Sequence, residues 1–210
     1  MHNKIIIRPL KKQDFLPLLK IIRYTWKFDD FSSPQIAQKL SKYYLYSYLS
    51  DQTDILVAEI LGKTVGIIMG KNISKYKIPR QYALQLLYIK FCLLFSKEGR
   101  AALKVYKGIE KLDNTLLSRT KQQYDAELSF FVVDEAYRGK GIGKTLYQNM
   151  INLMKKENLK NFYLYTDTES TYKFYEKRGM KLQHQINFTL NFYYKSWTTT
   201  FFIYDQTLVP

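Results

Sequence analysis

The chain is short of the residues that build covalent or metal-bound scaffolds. Its 210 residues include one cysteine, Cys92, and two histidines, His2 and His184. A single thiol excludes an internal disulfide framework, and two isolated imidazoles give no cluster of zinc-ligand spacing, so no metal is expected. Long hydrophobic runs are lacking as well. Ile5-Ile6-Ile7 stops at Arg8-Pro9, and the longest apolar region, residues 82–95, is interrupted by Gln85 and Lys90. Neither fits a signal-peptide core or a membrane span, so the expectation is a cytoplasmic protein with no membrane association. Acidic residues are few, 18 against 33 basic ones, for a net charge of +15. That field favours acidic partners. The lysines are nevertheless spread along the chain, with no block of five basic residues and no DNA-binding motif, which argues for a solvated basic surface and against nucleic acid as a partner. What remains, 46% hydrophobic and 16% aromatic residues, is ample for the core of one domain spanning residues 1–210.

Against that background one segment stands out. Arg138-Gly139-Lys140-Gly141-Ile142-Gly143 follows an apolar run, residues 128–133, and precedes a stretch of helical period. A strand that feeds a glycine-rich turn and opens a helix presents unpaired N–H groups at the positive end of the helix dipole, a cradle for phosphate oxygens. Arg138 and Lys140 add positive charge, and the glycines let a pyrophosphate approach the backbone. Two familiar loops fail by a residue. A nucleotide P-loop ending in Gly143-Lys144-Thr145 needs glycine where Arg138 stands, and a dinucleotide fingerprint from Gly139 needs glycine at Lys144.

The pattern that fits is Arg/Gln-x-x-Gly-x-Gly/Ala, met by Arg138, Gly141 and Gly143, and in this the sequence resembles the Gcn5-related N-acetyltransferase (GNAT) superfamily. Flanking segments resemble it too. Residues 126–134 look like the family's strand before the loop, with Glu127 near its start. Residues 161–166 read as the next strand, and residues 168–180 resemble the family's Asn-x-x-Ala-x-x-x-Tyr-Glu-Lys-x-Gly-Phe element, with Tyr175 four residues before Gly179. Thr168 replaces the usual asparagine and Thr171 the usual alanine, and Asp167 is a candidate substitute for the pantetheine contact. The motifs cover residues 126–185.

The resemblance implies a mixed α/β fold: a central, mostly antiparallel sheet of six to seven strands flanked by helices. Period and punctuation agree with that order. A strand at residues 4–8 is followed by helices at 13–27 and from Ser33-Pro34 to about 49. Two short strands, 55–59 and 64–69, join through Leu61-Gly62-Lys63 as a hairpin. A helix from Ile142 ends near Glu157-Asn158, residues 168–178 read as another with Gly179 at its C-terminal cap, and residues 182–192 and 196–204 close the sheet. Residues 71–125 form an insertion between strands 3 and 4. Its three periodic stretches predict two or three helices, serving either as packing for the sheet or as a wall of an acceptor pocket beside Glu127.

The resemblance also implies acetyl-CoA as co-substrate and a direct transfer to an amine that the sequence leaves unidentified. Glu127 is the candidate base, against a reading as an edge carboxylate paired with lysine. Tyr175 is the candidate acid, against a reading as a structural aromatic. Phe131, Val132 and Val133 would offer backbone to the acyl carrier where their strand bulges, Arg138, Gly139, Lys140, Gly141, Ile142, Gly143 and Lys144 would bind its phosphates, and Asp167 and Thr168 its arm. The overall charge favours a neutral or anionic acceptor. A second class stays open, an acyl-CoA-binding module with a protein or nucleic-acid partner. The aromatic C-terminal strands are the candidate surface for a homodimer.

Overall fold

Apolar periodicity resolves into seven strands and six helices in the computed structural model, which describes residues 4–76 and 80–208. The strands are β1 (Ile6–Arg8), β2 (Asp54–Ile60), β3 (Lys63–Asn72), β4 (Ala126–Val133), β5 (Asn161–Asp167), β6 (Lys181–Asn191) and β7 (Ser196–Thr207). They form one sheet in the order β1-β2-β3-β4-β5-β7-β6. Every neighbouring pair is antiparallel except β4 with β5. A parallel pair requires a crossover, and helix α5 (Ile142–Lys156) supplies it. The β2–β3 hairpin turns through Leu61 and Gly62, both at positive φ (48° and 74°), the two-residue geometry whose twist matches the strands.

Two layers of helix cover the sheet. Helices α1 (Phe15–Thr25) and α2 (Pro34–Leu49) bury Leu18, Ile22, Leu40 and Leu45 against Val57, Ile67 and Phe130. On the other face α5 buries Leu146, Met150 and Met154 against Ile68, Leu128 and Phe162. Helix α2 starts at Pro34 after an extended Ser33, where the sequence places it. The chain enters β1 under a buried ionic knot. Arg8 donates Nη1 and Nη2 to the two Asp14 oxygens at 2.7 and 2.8 Å and Nε to Glu59 at 2.6 Å, while Thr64 Oγ1 and the Lys11 N–H also donate to Asp14.

The segment between β3 and β4 carries two helices, α3 (Arg80–Leu94) and α4 (Lys97–Thr120). The stretches around residues 101–106 and 109–117, separate in the sequence reading, are one helix of 24 residues. Gly108 within it makes room for a ring: a Cβ there would lie 2.9 Å from Phe188 Cζ of β6. Ser96 caps the start, its hydroxyl accepting from the Gly99 N–H at 2.9 Å. Helix α4 lies on the α1/α2 side of the sheet and packs Leu112 and Leu116 against Tyr163 and Ile203 of β5 and β7.

The expected helix over residues 168–178 is largely absent. Only α6 (Lys173–Glu176) is helical: the Thr168 N–H donates to Thr200 O and so prolongs the sheet pairing, and Asp167 Oδ1 accepts from the N–H and the hydroxyl of Ser170 in the turn that follows. Thr168 is not a cap. Its hydroxyl bonds with that of Thr199 at 2.7 Å.

Candidate active site

The site grows from a failure of pairing. β4 meets β5 only at Ala126↔Phe162 and Glu127↔Tyr163, whereas it stays paired with β3 up to Val133↔Gly66. Beyond Glu127 the two parallel strands diverge, so the β5-facing backbone of the rest of β4 is left as an open edge. The bulge that the sequence reading put at residues 131–133 lies earlier. Met69 opposes Phe130 and Gly70 opposes Leu128, which leaves Ser129 as the extra residue. One extra residue inverts the alternation of a strand. Ala126 and Leu128 therefore face α5, whereas Phe130 and Val132 face α1 and α2, and Phe131 and Val133 return to the α5 side. Glu127, alternating with Ala126 and Leu128, faces α2 and α4.

At the far end of β4 lies the glycine-rich turn. Gly139 and Gly141 adopt φ of +78° and +81°, and a Cβ on either would project into open space. Gly141 is the N-terminal cap of α5, and the first bond of that turn runs from Thr145 N to Gly141 O. The amides of Ile142, Gly143 and Lys144 accordingly have no acceptor within the helix. This is the chemistry of an anion cradle: free N–H groups, a helix dipole and room where side chains would stand. A pyrophosphate fits the residues present. The flanking cations are turned along the chain, Arg138 Nε donating to Val133 O at 3.2 Å and Lys140 Nζ to Ala136 O at 3.2 Å.

Between these ends one face of the sheet collects acids and phenols. Alternation along β5 sends Tyr163, Tyr165 and Asp167 to the same face as Glu127. Tyr163 Oη donates to Glu127 Oε2 at 3.2 Å. Burial, with the nearby charge of Asp51, pushes the Glu127 carboxyl up to about 7 against the pull of Lys71 and of that hydrogen bond. Lys71 stands directly opposite Glu127 in the β3–β4 register. It forms a 2.6 Å ion pair with Asp51, so Glu127 is not paired off as a lysine-bound edge carboxylate.

Asp113 of α4 enters the same space. Its Oδ1 is sealed from solvent and has no hydrogen-bond partner among the described residues. Burial and the charges of Glu127, Asp167 and Glu110 push it up to about 8. Asp167 is also raised, chiefly by burial. Among the described residues no three His, Cys, Asp or Glu side chains are grouped so as to hold a metal ion. Asp113 escaped the sequence reading. The one signal was its place on the inward stripe of α4, seven residues after Tyr106 and four after Ile109.

Tyr175 sits across from the turn, its ring 5.4 Å from Phe174 and 6.5 Å from Tyr147. Burial above all, with Tyr147 and Asp167 nearby, raises its phenol well beyond the normal range despite Arg178, so it holds its proton at neutral pH. Arg178 lies over the Phe174 ring and donates to the Phe174 carbonyl at 2.7 Å, which fixes the short helix α6 that carries Tyr175. The aromatic C-terminal strands turn largely inward. Phe192 and Trp197 stack on each other and meet Phe31, leaving Tyr193 and Tyr194 as their exposed aromatics.

A parallel strand pair that parts beside a part-buried carboxyl, on a strand that leads to free helix N–H groups, gives this α/β fold an open strand edge. Residues 21–180 match the sequence profile of the Acetyltransferase (GNAT) family, and the chain belongs to that family. Among curated proteins no sequence matches it significantly. Solved structures share its fold at low identity. The PaiA N-acetyltransferase of Thermoplasma acidophilum, in complex with coenzyme A, is 18% identical with a TM-score of 0.52, covering 97% of this chain and 99% of that one. An N-acetyltransferase from Staphylococcus aureus is 17% identical with a TM-score of 0.55, covering 98% and 99%. No helix among the described residues is long and apolar enough to cross a membrane.

Proposed function

We propose that residues 1–210 act as one cytoplasmic, acetyl-CoA-dependent N-acetyltransferase that moves the acetyl group directly to a primary amine. The observation that carries this is the position of Glu127, a carboxyl raised to about 7 at the closed end of the β4–β5 divergence, on the strand whose other end opens into the amide cradle. The cradle at residues 139–144 would take the pyrophosphate and the open edge of β4 the arm, with the family membership and the coenzyme A complex of a same-fold protein in support.

The chemistry follows from the groups present. An ammonium must lose a proton before it can attack, and a carboxylate titrating near neutrality accepts that proton, directly or through water. The nitrogen then bonds the thioester carbon while an open N–H of β4 stabilises the carbonyl oxygen. As the C–S bond breaks, the Tyr175 hydroxyl, protonated at this pH, gives its proton to the sulfur, and the second amine proton leaves the nitrogen through water to restore the Tyr175 hydroxyl and the neutral amide. No metal or covalent enzyme intermediate is required by this sequence of steps.

A panel of amines and peptide N-termini, followed by thiol release, tests the reading. Tyr175→Phe is expected to lower kcat by about 10²–10⁴-fold while leaving acetyl-CoA binding by calorimetry nearly intact. Unaltered turnover would remove Tyr175 from the mechanism. The alternative, an acyl-CoA-binding module with a protein partner, draws on one observation: Leu84, Leu87, Tyr88, Phe91, Leu94 and Phe95 of the α3 region are exposed together. Coenzyme retention with no turnover on any amine would favour it.

A further inference from the structure

Helix α3 is apolar on two sides, and the fold covers one of them. Ile89 and Leu93 are buried with Leu40 and Leu45 of α2 in one core, while Leu84, Leu87, Tyr88, Phe91, Leu94 and the following Phe95 are each more than half exposed. Spacings of three and four set these six on one side of the helix. From Gln81 to Phe95 the only charged residue is Lys90. A helix without a broad polar face belongs in an interior, so the outer side is built to be covered. The patch is on the order of 500 Å², the size that marks an interaction site on a single chain.

The next helix decides what covers it. Lys97, Arg100, Lys104, Lys107 and Lys111 follow at spacings of three and four along α4, all exposed, on the side away from the buried Val105, Leu112 and Leu116. Glu110 is the one exposed acid of α4, and Glu98 is engaged by the Ser33 N–H and the Tyr194 hydroxyl. The two stripes adjoin, since Arg100 Nη1 donates to Leu94 O at 2.7 Å. A row of leucines and rings beside a row of cations complements an anionic bilayer, the apolar groups entering the headgroup boundary and the ammonium groups meeting phosphates. A second copy fits worse. Two-fold pairing would bring like charges together, and about 500 Å² a side falls short of the ~800 Å² of a stable protein interface. We propose that the α3–α4 face rests on a membrane surface carrying anionic phospholipid, as a reversible peripheral contact. The expectation of no membrane association rests on the lack of a spanning run, and no helix among the described residues can cross a bilayer; lying on one asks only for a single apolar side. Neither Glu127 nor the glycine-rich turn takes part, so the contact is independent of the acetyl-transfer reading.

Flotation of the full chain with vesicles tests this. Binding to phosphatidylcholine containing about 30% phosphatidylserine is expected to be about tenfold or more tighter than to phosphatidylcholine alone, and to weaken as salt screens the lysines. Phe91→Ser combined with Phe95→Ser should lower it by about tenfold or more, and Lys104→Glu combined with Lys107→Glu by about 25-fold, roughly a factor of five for each cation removed. Neither pair should alter acetyl-CoA binding in calorimetry. In Leu87→Trp the new indole should be quenched by phospholipid brominated in its acyl chains, which a purely electrostatic contact would not produce. Absence of binding to both vesicles, or binding that the Phe91 and Phe95 pair leaves unchanged, would overturn the proposal. So would a dimer in sedimentation velocity that the same pair dissociates while vesicles go unbound, since the face would then join two copies. Should a variant not fold, the wild-type protein still decides, because a contact indifferent to phosphatidylserine refutes the anionic partner.

Discussion

Asp14, buried ahead of α1, and Glu127, part-buried on β4, are two internal carboxyls held in opposite states. Asp14, fully buried, accepts from Arg8 twice, from Thr64 and from the Lys11 N–H. Burial alone would raise it, but those donors outweigh burial and keep it below the usual carboxylate range. Glu127 has one long hydrogen bond from Tyr163, and its nearest cation, Lys71, is engaged by Asp51. Burial therefore wins and the group titrates near 7. The lesson is that donors, not depth, decide whether an internal acid is structural or reactive.

Breaking the two carboxyls separately should have effects of different kinds. Asp14→Asn leaves Arg8 buried with an incomplete counter-charge and is expected to cost about 3–5 kcal/mol of stability, read by denaturant unfolding, with kcat of the folded fraction unchanged. A loss below 1 kcal/mol would show the knot to be incidental. Glu127→Gln is expected to lower kcat by about 10²–10⁴-fold with little loss of stability, since the wild-type group is itself poorly solvated. Full activity in this variant would return Glu127 to the role of a structural residue.

The pH dependence sharpens the contrast, because the signs are opposed. Asp14 binds its proton less readily when folded, so its contribution is present above the ordinary aspartate range and disappears as pH falls through the lower, folded value. Glu127 and Asp113 bind protons more readily when folded, to about 7 and about 8. Their ionisation progressively destabilises the fold as pH rises from the ordinary carboxylate range through those values. Unfolding measured across pH should show both slopes, while kcat/KM rises with pH through about 7 as the base becomes available. A rate that falls over that interval would contradict Glu127 as base. The smallest change is expected of Tyr163→Phe, which removes the bond favouring the Glu127 carboxylate. The rising limb of the pH–rate profile should move upward by about one unit, and an unmoved limb would mean that the bond is absent during catalysis.

Much of this architecture was legible along the chain, and what was legible is local. The Gly139–Gly141–Gly143 spacing located the cradle, because positive φ and missing side chains are properties of neighbouring residues. The Leu61-Gly62 hairpin and the Ser33-Pro34 helix start were read for the same reason. The misreadings share a cause in distant contacts. Two helical stretches in the insertion are one helix, since a single glycine costs a helix only about 1 kcal/mol and Phe188, eighty residues on, packs where a Gly108 side chain would stand. The helix expected from Thr168 starts only at Lys173, because Thr168 is bonded across the sheet to Thr199 and Thr200.

Order along the chain was enough to assign the family, the strand that carries Glu127 and the turn that could receive phosphate, since each is encoded in a few consecutive residues. Folding in three dimensions alone set the bulge at Ser129, the divergence of β4 from β5 and the approach of Asp113 to Glu127. Register and the packing of α4 across the sheet depend on contacts between residues far apart in sequence. Those same contacts bury Glu127 and Asp113 deeply enough to raise both carboxyls to about 7 and about 8, which composition could not reveal.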